Sequence, residues 1–315
     1  MNREKPLHVA VGNLNIDITL YVDKIPRYDE SVLSSETLIS PGGSATNYSI
    51  AVRYYGHRVS LIASTSTNPL VDNILKQLRD HGITTDYIKR VDEEPGLVIV
   101  IVLKNGERLL FKYRGANELL SPNDLPRELM EQANIIHLTS IPPNIVDEIV
   151  SRASRLGVLI SYDPGVYVSI YREKILEIID NINILFLNRV EAKELSRGRI
   201  EDLLKYNIDA IVVKKGAGGA YLLQHGGKYY YGISKPLQKP VNTTGAGDAF
   251  AAFFNAAYLD YRDWGKALRY ALAAGALKTM CKTSIICWDQ KLFNKQLRNT
   301  TIEIVKNPEE WILED

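Results

Sequence analysis

Asn134-Ile-Ile-His-Leu138, Val158-Leu-Ile-Ser-Tyr162, Asn183-Ile-Leu-Phe-Leu187 and Ala210-Ile-Val-Val213 are four short apolar runs separated by segments of helical character. Each is too short for a helix and too continuously apolar for a strand with one wet face. Each therefore reads as a strand covered on both sides. Strands that alternate with helices in this way build right-handed βαβ units and a parallel sheet. Polar residues follow the carboxyl ends of the runs: Asp163, Asn188, Lys214 and Lys215. Ligands of open parallel sheets bind at that edge, so topology alone makes these positions site candidates.

Upstream, residues 7–13 read as a first strand ending in a glycine turn, and two half-exposed strands are expected around 16–23 and 31–39. Pro41-Gly42-Gly43 breaks the chain, after which Ser44 is expected to cap a helix that ends at Gly56. A second helix runs from about Val71 to His81 and closes at Gly82. Residues 97–103 and 107–113 are β-rich and joined by Lys104-Asn-Gly-Glu107, a hairpin signal. These four strands do not alternate with helices, so they form a small sheet apart from the main one. Downstream, a hairpin at about 219–231 precedes helices at 245–259, 263–280 and 289–298 and a short tail helix. The expected organisation is one α/β domain over 1–315, with the small sheet inserted at about 15–40 and 96–115.

Composition narrows the function by exclusion. The 315 residues carry 38 Lys+Arg against 37 Asp+Glu, and the basic residues are scattered among acids, which argues against nucleic acid as a partner. Apolar residues make up 45%, an ordinary globular balance. The longest apolar stretch, Ala249 to Leu259, contains Asn255 and is too short to cross a membrane. The N-terminus lacks a signal-peptide core, and Cys281 and Cys287 match neither a zinc pattern nor a disulfide framework. A reduced, cytoplasmic location is expected. The five histidines are distant from one another in sequence and read as packing or surface residues.

The most informative segment is Asn242-Thr-Thr-Gly-Ala-Gly-Asp248. A glycine turn that opens onto an apolar helix points unpaired N–H groups and the positive helix end at one spot, a site for a phosphate or an oxyanion. Asp248 in the first turn could accept a proton from an attacking hydroxyl. A helix-dipole carboxylate with packing glycines is the plainer alternative. Pro41-Gly42-Gly43-Ser44-Ala-Thr-Asn47 gives a second glycine entry to a helix, where Asn47 could bond a hydroxyl, or it is a simple turn. Asp17, in Gly12-Asn-Leu-Asn-Ile-Asp17, could accept hydrogen bonds from vicinal hydroxyls or could be a solvated turn residue. Asn188-Arg-Val-Glu191 reads as a capping box, or as groups that organise Mg²⁺ beside phosphates. Lys214-Lys-Gly-Ala-Gly-Gly219 is a glycine-rich turn after a strand. A P-loop, a dinucleotide fingerprint and a nucleophile elbow are all absent.

In this order and spacing, the segments resemble the ribokinase-like (PfkB) family of carbohydrate and nucleoside kinases, over essentially the whole chain. The resemblance implies a three-layer α/β/α core with a mostly parallel central sheet, plus a small β-sheet lid. It implies that Asp248 is the catalytic base and that Gly245, Ala246 and Gly247 form the anion hole. Asp17, Gly42, Gly43 and Asn47 would grip the acceptor. Asn188, Lys215, Gly216, Gly219 and Thr243 would meet ATP, with Glu191 and Asn188 tied to Mg²⁺ through water. The acceptor is expected to be a nucleoside or sugar; a sugar acid, inositol or sugar phosphate is the alternative. A non-catalytic sugar or nucleoside sensor is the alternative from another class. In the family the lid often forms a dimer contact, so a homodimer through the lid is implied. Asn242 stands where many members have an Asp tied to monovalent-cation activation, which argues against potassium dependence. Lys214 replaces a common Thr, and Gly42-Gly43-Ser-Ala-Thr-Asn47 differs from the Gly-Gly-Lys-Gly-Ala-Asn of ribokinases. Asp163-Pro-Gly165, with Asn188-Arg-Val-Glu191 and Lys215-Gly216, is similar to the archaeal nucleoside-kinase branch. Arg114 is placed either on a phosphorylated acceptor or in solvent.

Overall fold

In the computed structural model, residues 4–104 and 107–306 are described. The strands are β1 (Leu7–Gly12), β2 (Asn15–Val22), β3 (Glu36–Gly42), β4 (Arg58–Ser66), β5 (Ile88–Val91), β6 (Gly96–Leu103) and β7 (Arg108–Tyr113), followed by β8 (Ile135–Thr139), β9 (Leu159–Asp163), β10 (Ile184–Asn188), β11 (Ala210–Lys214), β12 (Ala220–Gln224), β13 (Lys228–Ser234) and β14 (Thr300–Val305). The helices are α1 (Ser44–Tyr55), α2 (Leu70–Asp80), α3 (Arg127–Gln132), α4 (Pro143–Ala153), α5 (Tyr167–Ile178), α6 (Arg189–Ser196), α7 (Ala246–Tyr261), α8 (Trp264–Thr279) and α9 (Gln290–Arg298).

The four buried runs become β8 to β11 of a ten-stranded sheet, ordered β14-β13-β12-β11-β10-β9-β8-β1-β4-β5. Pairing is parallel from β5 through β11 and antiparallel across β12, β13 and β14. Strand alternation sends neighbouring side chains to opposite faces. Ile184 and Phe186 of β10 therefore join the core beneath α1, α7 and α8, whereas Leu185 and Leu187 join the core beneath α3 to α6. Three layers result, as the runs predict. The second sheet, β3-β2-β6-β7, is the lid. The order of the main sheet reverses beside β1, and the carboxyl ends of β1, β8 and β9 lie level there (Gly12, Thr139 and Asp163 in register). A crevice at such a reversal is where ligands of open α/β sheets bind.

Several expectations need correction. The second lid strand begins at Glu36, because Ser34 and Ser35 bond back to the Tyr21 carbonyl in a turn. Ser44 does not cap α1: Gly43 occupies the N-cap position, and Ser44 Oγ lies 3.2 Å from Ser140 Oγ. After α9 the chain forms a strand, Thr300–Val305, that was not expected and pairs with β13; residues 307–315, where the expected tail helix can fall, lie outside those described, as do Asn105 and Gly106 of the lid turn. The cysteines are joined. The loop between Cys281 and Cys287 doubles back to place their Cα atoms 5.6 Å apart, and they form a disulfide. A spacing of six residues does not reveal that reversal. Three histidines distant in sequence also converge: His8 lies 3.0 Å from His57 Nδ1, and Tyr48 stacks on His137 with ring centroids 4.0 Å apart. All three are buried packing groups. Among the described residues, no helix is long and apolar enough to cross a membrane.

Candidate active site

The turn into α7 is built around Gly245, whose φ of +81° is open to glycine and whose missing Cβ would sit 1.9 Å from the Ser284 carbonyl. Only glycine fits there. The chain then enters α7 with no side-chain cap: the Ala246 N–H donates to the Thr243 carbonyl at 3.2 Å, and Asp248 stands in the first turn. Asn47 Nδ2, from α1, donates to Asp248 Oδ2 at 2.8 Å. Burial pushes the Asp248 carboxyl up to about 6. Asp163 adds to that, while the Asn47 hydrogen bond, Lys214 and Lys278 hold it down. A carboxyl poised there is an effective base near neutral pH.

The opposite wall comes from the lid. Asp17 on β2 lies against Gly42, where a Cβ would meet its carboxylate at 1.9 Å, and it accepts a hydrogen bond from Ser284 Oγ at 2.7 Å. Burial raises Asp17 to about 6, against the Ser284 hydrogen bond and the charges of Lys112 and Lys278. Gly43 has φ +94° and packs on the Asn13 carbonyl, 2.3 Å from where its Cβ would be. Between these walls lies a cavity of about 400 Å³ lined by Asp17, Asn47, Lys112, Arg114, Glu191 and Asp248 among others. Asn13, Asp17 and Asn47 line this cavity, and one side-chain oxygen of each (Oδ1) is buried with no hydrogen-bond partner among the described residues. Buried acceptors are ordinarily satisfied.

Towards the strand ends, Lys214 Nζ pairs with Asp163 Oδ2 and lies 3.4 Å from where a Gly247 Cβ would stand. Burial lowers the Lys214 ammonium's affinity for its proton, but Asp163 and Glu191 outweigh it and hold the pKa above its ordinary value. The amine is therefore a fixed charge beside the start of α7. Asn188 and Glu191 form the expected capping box: Asn188 Oδ1 accepts from the Glu191 N–H at 2.9 Å, and Glu191 Oε2 accepts from the Asn188 N–H at 2.7 Å. Burial raises Glu191, and repulsion from Asp163 raises it further. Hard oxygen donors whose mutual repulsion a cation would relieve suit Mg²⁺. Among the described residues, however, no group of three His, Cys, Asp or Glu side chains could hold a metal alone.

The lid is latched to the α7 turn by Arg108 of β7, whose guanidinium donates to Asn242 Oδ1 at 2.9 Å and Thr244 Oγ1 at 3.1 Å, and also bonds Thr243 Oγ1. Asn242 Nδ2 donates to the Lys282 carbonyl at 2.8 Å.

The structure thus gathers Asp17, Gly43, Asn47, Glu191, Gly245 and Asp248 on one cavity, with Gly42 behind Asp17. Ala246 and Gly247 form the first turn of α7 at its edge. Asn188, Lys215, Gly216 and Gly219 lie beyond it, at the ends of β10 and β11 (Asn188 pairs with Lys214), and Thr243 is held by Arg108. Sequence reasoning did not assign roles to Lys214, Asp163, Arg108, Asn13, Ser284 or Lys278. Lys214 and Asp163 were marked by their position at strand ends and within recognisable motifs, and Asn13 by its polar segment; Arg108, Ser284 and Lys278 carried no signal.

Residues 5–291 match the pfkB family carbohydrate kinase profile. The chain is 30% identical over 272 residues to the ATP-dependent ribose-1-phosphate kinase of Halopiger xanaduensis, covering 85% of this chain and 90% of that one. It is 28% identical over 294 residues to the nucleoside kinase of Methanocaldococcus jannaschii, covering 89% and 94%. The structure of Arabidopsis thaliana ribokinase complexed with ribose and ATP superposes with a TM-score of 0.79 at 26% identity, covering 94% of this chain and 99% of that one. The chain belongs to the pfkB family of carbohydrate kinases. It is a phosphotransferase whose acceptor is a hydroxyl group of a sugar or nucleoside.

Proposed function

We propose that this protein transfers the γ-phosphoryl group of ATP to a hydroxyl of a nucleoside or sugar, with Asp248 as general base. One observation carries the reading. A carboxyl raised to about 6 stands at the start of α7, on the same cavity as Asn13, Asp17 and Asn47. Asp17 and Asn47 accept hydrogen bonds from neighbouring hydroxyls and orient the reacting one towards Asp248. Asp248 takes its proton as the oxygen bonds to the γ-phosphorus, and the bond to the bridging oxygen breaks to release ADP. The Gly245-Ala246-Gly247 turn at the start of α7, with the Lys214 ammonium, meets the charge that develops on the transferred group. Asn188, Lys215, Gly216, Gly219 and Thr243 line the approach of the nucleotide. Mg²⁺, which would be held near Glu191 and Asn188 through water, supplies charge neutralisation between phosphates. Arg108 keeps the lid closed, which excludes water as a competing acceptor.

The side chain of Asn242 is fully engaged by Arg108, Thr244 N–H and Lys282, which supports turnover without a monovalent cation. The outer lid face exposes Ile39 and Phe111, 58% and 57% accessible, in support of a homodimer contact there.

A second reading of the acceptor rests on Lys112. Through Val98 it lies in one cross-strand row with Asp17, and it has no hydrogen bond or ion pair among the described residues. Arg114 lines the same cavity but pairs with Glu118 at 3.3 Å, so Lys112 is the cation that favours an acceptor carrying a phosphate or carboxylate away from the reacting hydroxyl. The ribose-1-phosphate kinase relative is consistent with this. A coupled kinase screen with Mg-ATP over nucleosides, ribose, ribose 1-phosphate, fructose 6-phosphate, inositol and keto-deoxy sugar acids decides between them. Lys112→Ala is expected to raise KM for an anionic acceptor at least tenfold and to leave a neutral one unchanged. No turnover or ATP consumption across the panel would favour the sensor reading.

A further inference from the structure

Lys278 lies in the last turn of α8, which is otherwise apolar there (Ala273-Ala-Gly-Ala-Leu-Lys278), and it is completely buried. A basic residue at a helix end ordinarily reaches its own last carbonyls or solvent. This one does neither. Its Nζ donates at 2.8 Å to the backbone carbonyl of Asn242, the residue that opens the phosphoryl-transfer turn. The same junction is reinforced by the Val241 and Asn242 N–H groups, which donate to the Thr279 carbonyl at 2.7 and 3.0 Å. An ammonium with one neutral acceptor is an expensive thing to bury, and a methionine would fill the space without that cost. The charges that act on it come from three elements: Asp248 of α7, Asp17 of β2 and Arg108 of β7. Both carboxylates belong to the proposed reaction site, and both are held lower by Lys278.

Resting on the kinase reading, we propose that Lys278 is a positioning residue: its amine fixes the Asn242 carbonyl beneath the turn and becomes a full cation beside Asp248 and Asp17 when anionic phosphates arrive. Burial lowers Lys278 to about 7; Asp248 and Asp17 oppose that and Arg108 adds to it. The free protein therefore holds this amine partly neutral at pH 7.5. A bound triphosphate adds negative charge beside it and draws a proton from the buffer onto Nζ.

Calorimetric titration with Mg-ATP at pH 7.5, in buffers of different ionisation enthalpy, counts that proton. The wild type is expected to take up a measurable fraction of a proton per ATP, because an amine lowered to about 7 is left partly open at the working pH. Lys278→Met is expected to lose that uptake, to melt no lower than the wild type, and to turn over at least tenfold more slowly. Its Asp248-dependent acid limb should also move to higher pH. Equal proton uptake in the two proteins, or wild-type turnover with an unshifted limb in the variant, overturns the proposal. Should Lys278→Met not fold, Lys278→Gln keeps a donor for the Asn242 carbonyl without the charge and gives the same readouts. A wild type that does not bind Mg-ATP refutes the kinase reading itself, a result distinct from binding with an unchanged proton count.

Discussion

Asp248→Asn removes one charge from the start of α7 and leaves the side chain's size and its contact with Asn47 in place. Burial raises the native carboxyl from an ordinary 3.8 to about 6, and two pH units correspond to about 3 kcal/mol. Asp248 keeps partial contact with solvent on the cavity, so the stability carried by this shift is on the order of 1–2 kcal/mol. The folded carboxyl binds its proton more tightly than the unfolded one. The penalty for ionising it is thus absent below about pH 4 and complete above about pH 6. At pH 7.5 the asparagine variant is expected to melt above the wild type, and the gap should close as the pH falls towards 4. Turnover moves the other way, falling ~10²–10⁴-fold, or ~2.7–5.5 kcal/mol of barrier, as for loss of a general base. The wild type should lose kcat/KM tenfold per unit below about pH 6. Thermal melts across pH and a coupled assay with the acceptor found by screening measure both effects. A variant that keeps a tenth of wild-type turnover, or that melts lower at pH 7.5, refutes the assignment of Asp248 as a buried base.

Three further outcomes are expected. Lys214→Gln should lower kcat ~10²–10³-fold by removing a fixed cation beside Gly247; adding Asp163→Asn should recover melting temperature but not turnover, which separates charge stabilisation from the buried ion pair. Gly245→Ala forces a Cβ to 1.9 Å from the Ser284 carbonyl at a positive φ, so it should cost at least ~2 kcal/mol in denaturant unfolding and reduce kcat in the folded fraction. Cys281→Ser opens a loop closed at a separation of six residues, worth about 2 kcal/mol in chain entropy and roughly 3–4 °C in Tm. The same loop carries Ser284 onto Asp17, so KM for the acceptor should rise while KM for ATP stays fixed.

The fold was legible where side-chain patterning alone decides structure. Runs such as Asn183–Leu187 are apolar on both faces because helices cover both faces, and no tertiary detail is needed to read that. The glycine turns at Gly43 and Gly245 were legible for a similar reason, since each marks a backbone that tolerates no side chain. β14 was not legible, because an edge strand with exposed Glu303 and Ile304 has little apolar signature and is specified by its pairing with β13. The disulfide and the His8–His57 contact were hidden likewise, since each depends on a chain reversal that residue spacing does not encode.

By itself, the sequence determined the α/β architecture, the helix N-terminus that can hold an anion, and the carboxylate in its first turn. These are local properties: hydrophobic period, glycine placement and a neighbouring acid. Tertiary structure alone decided which distant groups share the site. It brought Asn47 onto Asp248, Ser284 onto Asp17, Arg108 onto the α7 turn and Lys214 beside Gly247. It also buried Asp17 and Lys278 and drew Asp248 largely out of solvent beside them, and their proton affinities follow from desolvation and mutual charge. Those quantities depend on distance through space, which a linear order of residues does not contain.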